Sequence, residues 1–288
     1  MSAGRFAPSP SGDLHLGNLR TAILAWLFAR ASGRDFLVRV EDLDRQRSRP
    51  RFEAQQLRDL ATMGLTWDGP VVRQSERDHL YAAALERLTA AGRTFECFCT
   101  RREIAEAVRA PHAPPGSYPG TCRDLTEAER AARRTERTPA IRLRAPAREW
   151  TIRDLLRGEV TGPVDDVVLR RGDGAHAYHL AVVVDDGDQG VDQIVRGDDL
   201  LDSAPAQAQL AHLLGLPEPT YAHVPLALSP EGRRLAKRDG AVTLRDLSPE
   251  RAWELIGASL GVRARSPAAL LDELDPTGIS LEPWVVHG

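Results

Sequence analysis

The stretch "RFAPSPSGDLHLGNLRTAILAWLFARASG" (residues 5–33) limits the possible folds more than any other part of the chain. Pro8 and Pro10 cannot sit inside a helix, because each lacks an N–H and its ring clashes with the preceding turn. The segment "GRFAPS" therefore reads as a short strand running into a loop. From Leu19 onward, Leu19, Ile23, Leu24, Leu27 and Phe28 recur at the helical period, and Gly33 supplies a C-terminal stop. "DFLVRVEDLD" (35–44) follows as a compact buried strand, then helices over about 51–63 and 76–91, the second with Leu80, Ala84, Leu85 and Leu88 on one face. Strand and helix alternating at this spacing predict an α/β fold with a parallel sheet wrapped by helices.

The order changes near residue 93. Residues 93–164 hold all three cysteines, the Pro/Gly loop "APHAPPGSYPG", a charged helix near 126–136 and little buried strand, which together mark an inserted domain. Parallel α/β character returns with "DDVVLRR", the turn "GDG" (172–174) and "AYHLAVVVDD", followed by a helix at about 203–214 and a strand at 221–228. The end of the chain reads as one helix (249–260) and short irregular elements. The expected division is 1–92 and 165–245 for two halves of one sheet domain, 93–164 for the insertion, and 246–288 for a short helical C-terminal segment.

Composition excludes several classes. A chain of 288 residues with 42% hydrophobic content can bury a sizeable core. A net charge of −3 rules out a polycation, although residues 101–148 carry 11 Arg against 6 acidic residues. That excess suits either a solvated helical face or a surface that meets phosphates. No apolar run approaches the ~18 residues that span a bilayer, and nothing resembles a signal peptide, so the expected setting is soluble and cytoplasmic. Three cysteines, Cys97, Cys99 and Cys122, are an odd number and argue against a disulfide framework.

A glycine-containing loop between the first strand and its helix lies where open α/β sheets bind ligands. The helix start offers unpaired N–H groups and partial positive charge, which favour phosphate. Gly12 and Gly17 let backbone approach a ligand, and His15 can add a hydrogen bond to a phosphate oxygen. A histidine at a helix start is also an ordinary structural feature, so the loop alone decides little.

The order of residues is more specific. His15-Leu16-Gly17-Asn18 resembles the His-Ile-Gly-His signature of class I aminoacyl-tRNA synthetases, and the flanking "RFAPSPSG" and "VRVEDLD" resemble the glutamyl subgroup. "RRLAKRDG" stands where the second class I element, Lys-Met-Ser-Lys-Ser, belongs, with Arg234-Leu235-Ala236-Lys237-Arg238 in register. The resemblance runs through roughly residues 4–245. Glutamyl-tRNA synthetases continue into a helical domain that reads the anticodon, and only about 40 residues remain here. The chain thus resembles the shortened glutamyl-queuosine tRNA(Asp) synthetase family, which attaches glutamate to the queuosine base at the wobble position of tRNA(Asp).

That resemblance implies a Rossmann-like class I catalytic domain and an ATP-dependent ligase. It casts His15 and Lys237 as catalytic, and His15, Gly17, Asn18 and Lys237 as the ATP site, with Mg²⁺ accompanying ATP. It assigns L-glutamate to Arg5, Phe6, Ala7, Pro8, Ser9, Glu41, Tyr178 and Arg196. "CFC" and "YPGTC" resemble the family's structural zinc site, with Cys97, Cys99, Tyr118 and Cys122 as ligands and one Zn²⁺ per chain. By donor chemistry alone, the fourth position stays open to Tyr118, His112, Glu96 or water. The implied partners are glutamate, ATP and queuosine-bearing tRNA(Asp), with no membrane, for a monomer. Two departures from the family pattern stand out: Asn18 replaces the second signature histidine, and Arg234 and Ala236 replace a lysine and a serine. Two rival readings remain, a truncated synthetase charging a tRNA 3′ end and a non-catalytic paralogue that binds tRNA or nucleotides.

Overall fold

The computed structural model describes residues 2–107, 118–233, 235 and 242–286. Strand β1 (Ala3–Phe6) leads into α1 (Leu16–Ala31), β2 (Asp35–Val40), α2 (Pro50–Thr62), β3 (Val72–Arg73) and α3 (Asp78–Ala90). Next come β4 (Thr94–Cys97), α4 (Arg101–Ala107), α5 (Glu127–Arg134), β5 (Ala140–Leu143), β6 (Glu149–Asp154), β7 (Gly158–Pro163) and β8 (Val168–Arg170). The remainder is α6 (Tyr178–Asp188), β9 (Val191–Gly197), α7 (Ala204–Leu213), β10 (Thr220–Val224), β11 (Ala227–Leu228), α8 (Pro249–Ser259), α9 (Pro267–Glu273) and β12 (Trp284–Val285).

Seven strands form the main sheet in the order β3-β2-β1-β9-β10-β6-β7. Every neighbouring pair is parallel except β6 with β7. The α/β reading with a mostly parallel central sheet is thus borne out. Chain order reverses at β1, which lies between β2 and β9. Loops leaving β1 and β9 diverge there and open a crevice at the carboxyl edge of the sheet.

Helix α1 is apolar nearly all round, which requires burial on all sides. It lies in the core with side chains of β2 (Phe36, Val38), α8 (Trp253, Ile256) and α9 (Leu270). Gly33 adopts φ +68 two residues past its end, a conformation that costs glycine little.

Two segments differ from simple reading. "YHLAVVVDD" carries a β-branched run suited to a strand, yet it is helix α6. Leu180–Val184 pack there with Tyr81, Leu85 and Leu88 of α3 and Leu210 of α7, and tertiary burial outweighs local propensity. The strand beside it is the more polar "VDQIVRG" of β9. The hairpin of β6 and β7, within the cysteine-bearing stretch of sequence, joins the edge of the main sheet, with Tyr221 opposite Asp154. Strands β4, β5 and β8 form a separate antiparallel sheet. Among the described residues, no helix is long and apolar enough to cross a membrane.

Candidate active site

A cleft of about 690 Å³ occupies the crevice beyond β1, β2 and β9. Arg5, Phe6, Ala7, Pro8 and Ser9 line it from β1 and its loop, Glu41 from the end of β2, Tyr178 from the start of α6 and Arg196 from β9. His15, Gly17 and Asn18 line it from the start of α1. Lys237 lies outside the described residues.

The loop after β1 is held through its carbonyls. Pro8 O accepts from Glu41 N at 3.0 Å and Pro10 O from Arg49 N at 3.0 Å. Gln56 of α2 donates its amide NH₂ to Ser9 O (3.0 Å) and Gly12 O (2.6 Å). At the helix start, Asn18 N donates to His15 Nδ1 and His15 N donates to Asn18 Oδ1, each at 3.2 Å. This reciprocal cap gives the Asn18 amide a structural task, which nothing in the signature alone indicated. A neutral His15 that accepts at Nδ1 carries its proton on Nε2, leaving that nitrogen as the donor. Gly17 serves packing: a Cβ there would stand 2.9 Å from Ala227 Cβ and 3.1 Å from the His15 ring.

Beneath the cleft runs a buried ionic network. Arg5 grips Asp186 with both Nε (3.1 Å) and Nη2 (3.3 Å). The fully buried Arg39 donates to Asp186 Oδ1 (2.7 Å) and reaches Glu41 Oε1 at 3.4 Å. Asp185 accepts from Gln74, Arg77 and Tyr81. Burial would push the Asp186 carboxyl up, but Arg39 and Arg5 more than offset it and hold it below its ordinary range. At Glu41 burial wins over Arg39 and Arg5, and the carboxyl is raised. Glu41 therefore borders the cleft as an under-compensated acid.

Arg196 is the opposite case. It is 5% exposed, and its hydrogen bonds go to His223 Nε2 (3.1 Å), Gln207 Oε1 (2.6 Å) and Leu200 O (3.2 Å). Among the described residues it has no carboxylate partner, and burial lowers its pKa. The sequence reading missed Arg39, Asp186, Gln56 and His223. The only signals were an arginine inside the apolar run "FLVRV" and two acids closing "AVVVDD".

The cysteines converge in the smaller sheet region. Their sulfurs lie within 4.8 Å of one another, with Cys99 Sγ 3.5 Å from Cys122 Sγ. The Tyr118 hydroxyl is 3.4 Å from Cys97 Sγ and 3.9 Å from Cys99 Sγ. Four donors around a tetrahedral Zn²⁺, at about 2.3 Å for sulfur and about 2.0 Å for oxygen, would be separated by roughly 3.5–3.8 Å. Cys99–Cys122 and Tyr118–Cys97 stand close to that spacing, and the donor set fits the ion once the widest sulfur separation, up to 4.8 Å, draws in around it. Burial, with Cys122 and Cys97 adjacent, pushes the Cys99 thiol up to about 12, so a cation is what would make the Cys99 thiolate favourable. The Cys97 thiol, despite its burial, is held below its usual value by hydrogen bonds from Tyr118 and Arg142. Arg142 stacks on the Tyr118 ring with its guanidinium carbon 3.9 Å from the ring centroid. Glu96 turns away to pair with Arg134 at 2.8 Å, and His112 lies outside the described residues.

The family model for the catalytic domain of class I tRNA synthetases (E and Q) matches residues 3–254. A glutamyl-Q tRNA(Asp) synthetase from Nocardia farcinica is 63% identical over 99% of this chain and 93% of its own length. Another, from Cutibacterium acnes, is 58% identical over 85% of this chain and 71% of its own. Among solved structures, a glutamate tRNA ligase from Elizabethkingia meningosepticum, in complex with its amino acid, superposes with a TM-score of 0.82 at 28% identity, over 99% of this chain and 66% of that one. With a family match across most of its length and high identity to near-full-length relatives, the chain belongs to the class I tRNA synthetases of the glutamyl and glutaminyl type, within the glutamyl-Q tRNA(Asp) synthetase family.

Proposed function

We propose that the chain activates L-glutamate with ATP and transfers the glutamyl group to the queuosine base at the wobble position of tRNA(Asp). The observation that carries this reading is Arg196, a buried cation facing the cleft whose partners are all uncharged. A forked guanidinium with spare donors suits a carboxylate. Glu41, raised by burial, offers its charge to an ammonium across the same cleft. An amino acid with an acidic side chain satisfies both signs, with Arg5, Tyr178, Ser9 and the backbone of Phe6, Ala7 and Pro8 completing its pocket.

In the first step a glutamate carboxylate oxygen attacks the α-phosphorus of ATP. The bond to the bridging oxygen breaks and pyrophosphate leaves, giving glutamyl-adenylate. In the second, a nucleophile on the base attacks the acyl carbon, loses its proton to solvent, and AMP departs. The protein positions and neutralises throughout. His15, the Gly17 N–H and the Asn18 side-chain NH₂ meet the phosphates, since the Leu16 and Asn18 N–H groups already bond to Val242 O and His15 Nδ1. Lys237 neutralises charge developing on pyrophosphate, and Mg²⁺ enters with ATP.

The identity to glutamyl-Q tRNA(Asp) synthetases supports the base as acceptor. Cys97, Cys99, Cys122 and Tyr118 would hold one structural zinc, which braces the insertion we assign to residues 93–164. Residues 1–92 and 165–245, with the β6–β7 hairpin of that stretch added at the edge of their sheet, are then the catalytic unit and 246–288 the C-terminal segment. We take the enzyme to act as a cytoplasmic monomer.

The test is glutamate-dependent ATP–pyrophosphate exchange, then labelling of tRNA(Asp) with and without queuosine, each with and without the 3′-terminal adenosine. Exchange and label confined to queuosine-bearing tRNA, with or without that adenosine, are expected. Label that requires the 3′ adenosine, or that is equal on unmodified tRNA, overturns the acceptor. Exchange no greater than that of His15→Ala overturns activation.

A further inference from the structure

Arg5 and Arg196 line the same cleft but are held in different ways. Arg5 is forked directly onto the buried carboxylate of Asp186. Arg196 spends one N–H from each of its three nitrogens on neutral acceptors: an imidazole nitrogen, an amide oxygen and a backbone carbonyl. The imidazole is His223, directly opposite Arg196 in the parallel register of β9 and β10. On its other side, His223 Nδ1 lies 2.7 Å from Asp154 Oδ2. Asp154 closes β6, the next strand, and is fully buried with His223.

This arrangement determines where the His223 proton sits. A guanidinium only donates, so Nε2 must present its lone pair to Arg196. The ring proton then belongs on Nδ1, where the Asp154 carboxylate accepts it. Asp154 is itself fixed by backbone N–H groups, from His223 at 3.0 Å, Leu156 at 2.9 Å and Arg157 at 3.1 Å. Burial disfavours the imidazolium and lowers the His223 pKa, in keeping with a neutral ring. The carboxylate therefore stands one imidazole away from the guanidinium. It orients Arg196 through the ring without contacting it, so the positive charge remains available to the cleft.

We infer that His223 and Asp154 are positioning residues that aim Arg196 at a carboxylate of the amino-acid substrate while leaving its charge unspent. The inference rests on the proposed binding of glutamate in this cleft, and it extends that pocket to two residues that do not line it.

Two histidine replacements of similar polarity separate the contacts. A glutamine amide reaches the place of Nε2, and an asparagine amide the place of Nδ1. In His223→Gln the acceptor for Arg196 persists, and the glutamate KM in pyrophosphate exchange stays within about threefold of the parent. In His223→Asn the Asp154 contact persists but Arg196 loses an acceptor, and the glutamate KM rises about tenfold or more, the scale of a hydrogen bond to a charged group. The ATP KM is unchanged in both. Equal glutamate KM values for the two variants, the reverse order, or parallel changes in the ATP KM overturn the inference. ¹⁵N NMR of histidine-labelled protein supplies a readout free of activity. His223 should show a protonated Nδ1 and a bare Nε2, and a ring protonated on Nε2 overturns the relay even if exchange proceeds. Absence of exchange in the parent protein would overturn the glutamate reading, and the tautomer would still decide whether the relay exists.

Discussion

Arg5 and Asp186, 181 positions apart in sequence, form a buried two-pronged ion pair with N–O distances of 3.1 and 3.3 Å. The same carboxylate takes Arg39 at 2.7 Å, so Asp186 is shared by two buried cations, of which Arg39 also reaches Glu41 and Asp185 while Arg5 has its ion pair with Asp186. Removing one member of such a set leaves charge buried without a partner, which costs about 3–5 kcal/mol. Asp186→Ala should therefore lower the urea midpoint sharply, whereas Ser9→Ala, at an exposed position of the same cleft, should barely move it. Equal midpoints for the two would count against this account of the network.

Glu41 and Asp186 predict opposite pH behaviour. The folded pKa of Asp186 is depressed, so its contribution is full above the unfolded carboxylate range and is lost as pH falls through the lower folded value. The folded pKa of Glu41 is raised, so folded protein binds that proton more tightly and stability declines as pH climbs from the unfolded to the folded value. Glu41→Gln removes the penalty. The variant should be more stable than the parent at pH 7, the gap should close as pH falls below the ordinary glutamate range, and glutamate-dependent exchange should be lost. Denaturation at both pH values checks the sign, and a variant less stable at pH 7 refutes it.

The donor set of Cys97, Cys99, Cys122 and Tyr118 should carry about one zinc per chain by elemental analysis of purified protein. Cys97→Ser should lose the metal and raise hydrogen exchange in β4, β5 and β8. Tyr118→Phe should keep three thiolates yet release zinc to a chelator more readily. Unchanged release in that variant would assign the fourth position elsewhere.

Gly17→Ala tests a conflict between local propensity and packing. Alanine in a helix gains up to about 1 kcal/mol over glycine. The new Cβ would sit 2.9 Å from that of Ala227, which cannot rotate away, and overpacking of this kind costs about 1–3 kcal/mol. A net loss of stability is expected, with a raised ATP KM because the His15 ring is displaced. A stabilised variant with normal kinetics would show that the contact relaxes freely.

Local chemistry explains what was legible from sequence alone. Prolines, helical periodicity and Gly33 mark β1, its loop and α1, because each acts on its own few residues. The signature at His15, and Arg5, Glu41, Tyr178 and Arg196 in their short motifs, could be picked out one at a time. So could the close spacing of Cys97, Cys99 and Cys122. Tertiary structure alone decided that "YHLAVVVDD" is a helix, since its burial against α3 and α7 outweighs the strand preference of Val182, Val183 and Val184. It also decided that Arg5 is neutralised and Arg196 is not. Both are arginines in similar motifs, and their difference lies in partners brought from distant segments, Asp186 for one and Gln207, His223 and, through the ring, Asp154 for the other. A side chain's charge is written in the sequence, but whether that charge is already spent depends on the long-range contacts that burial enforces.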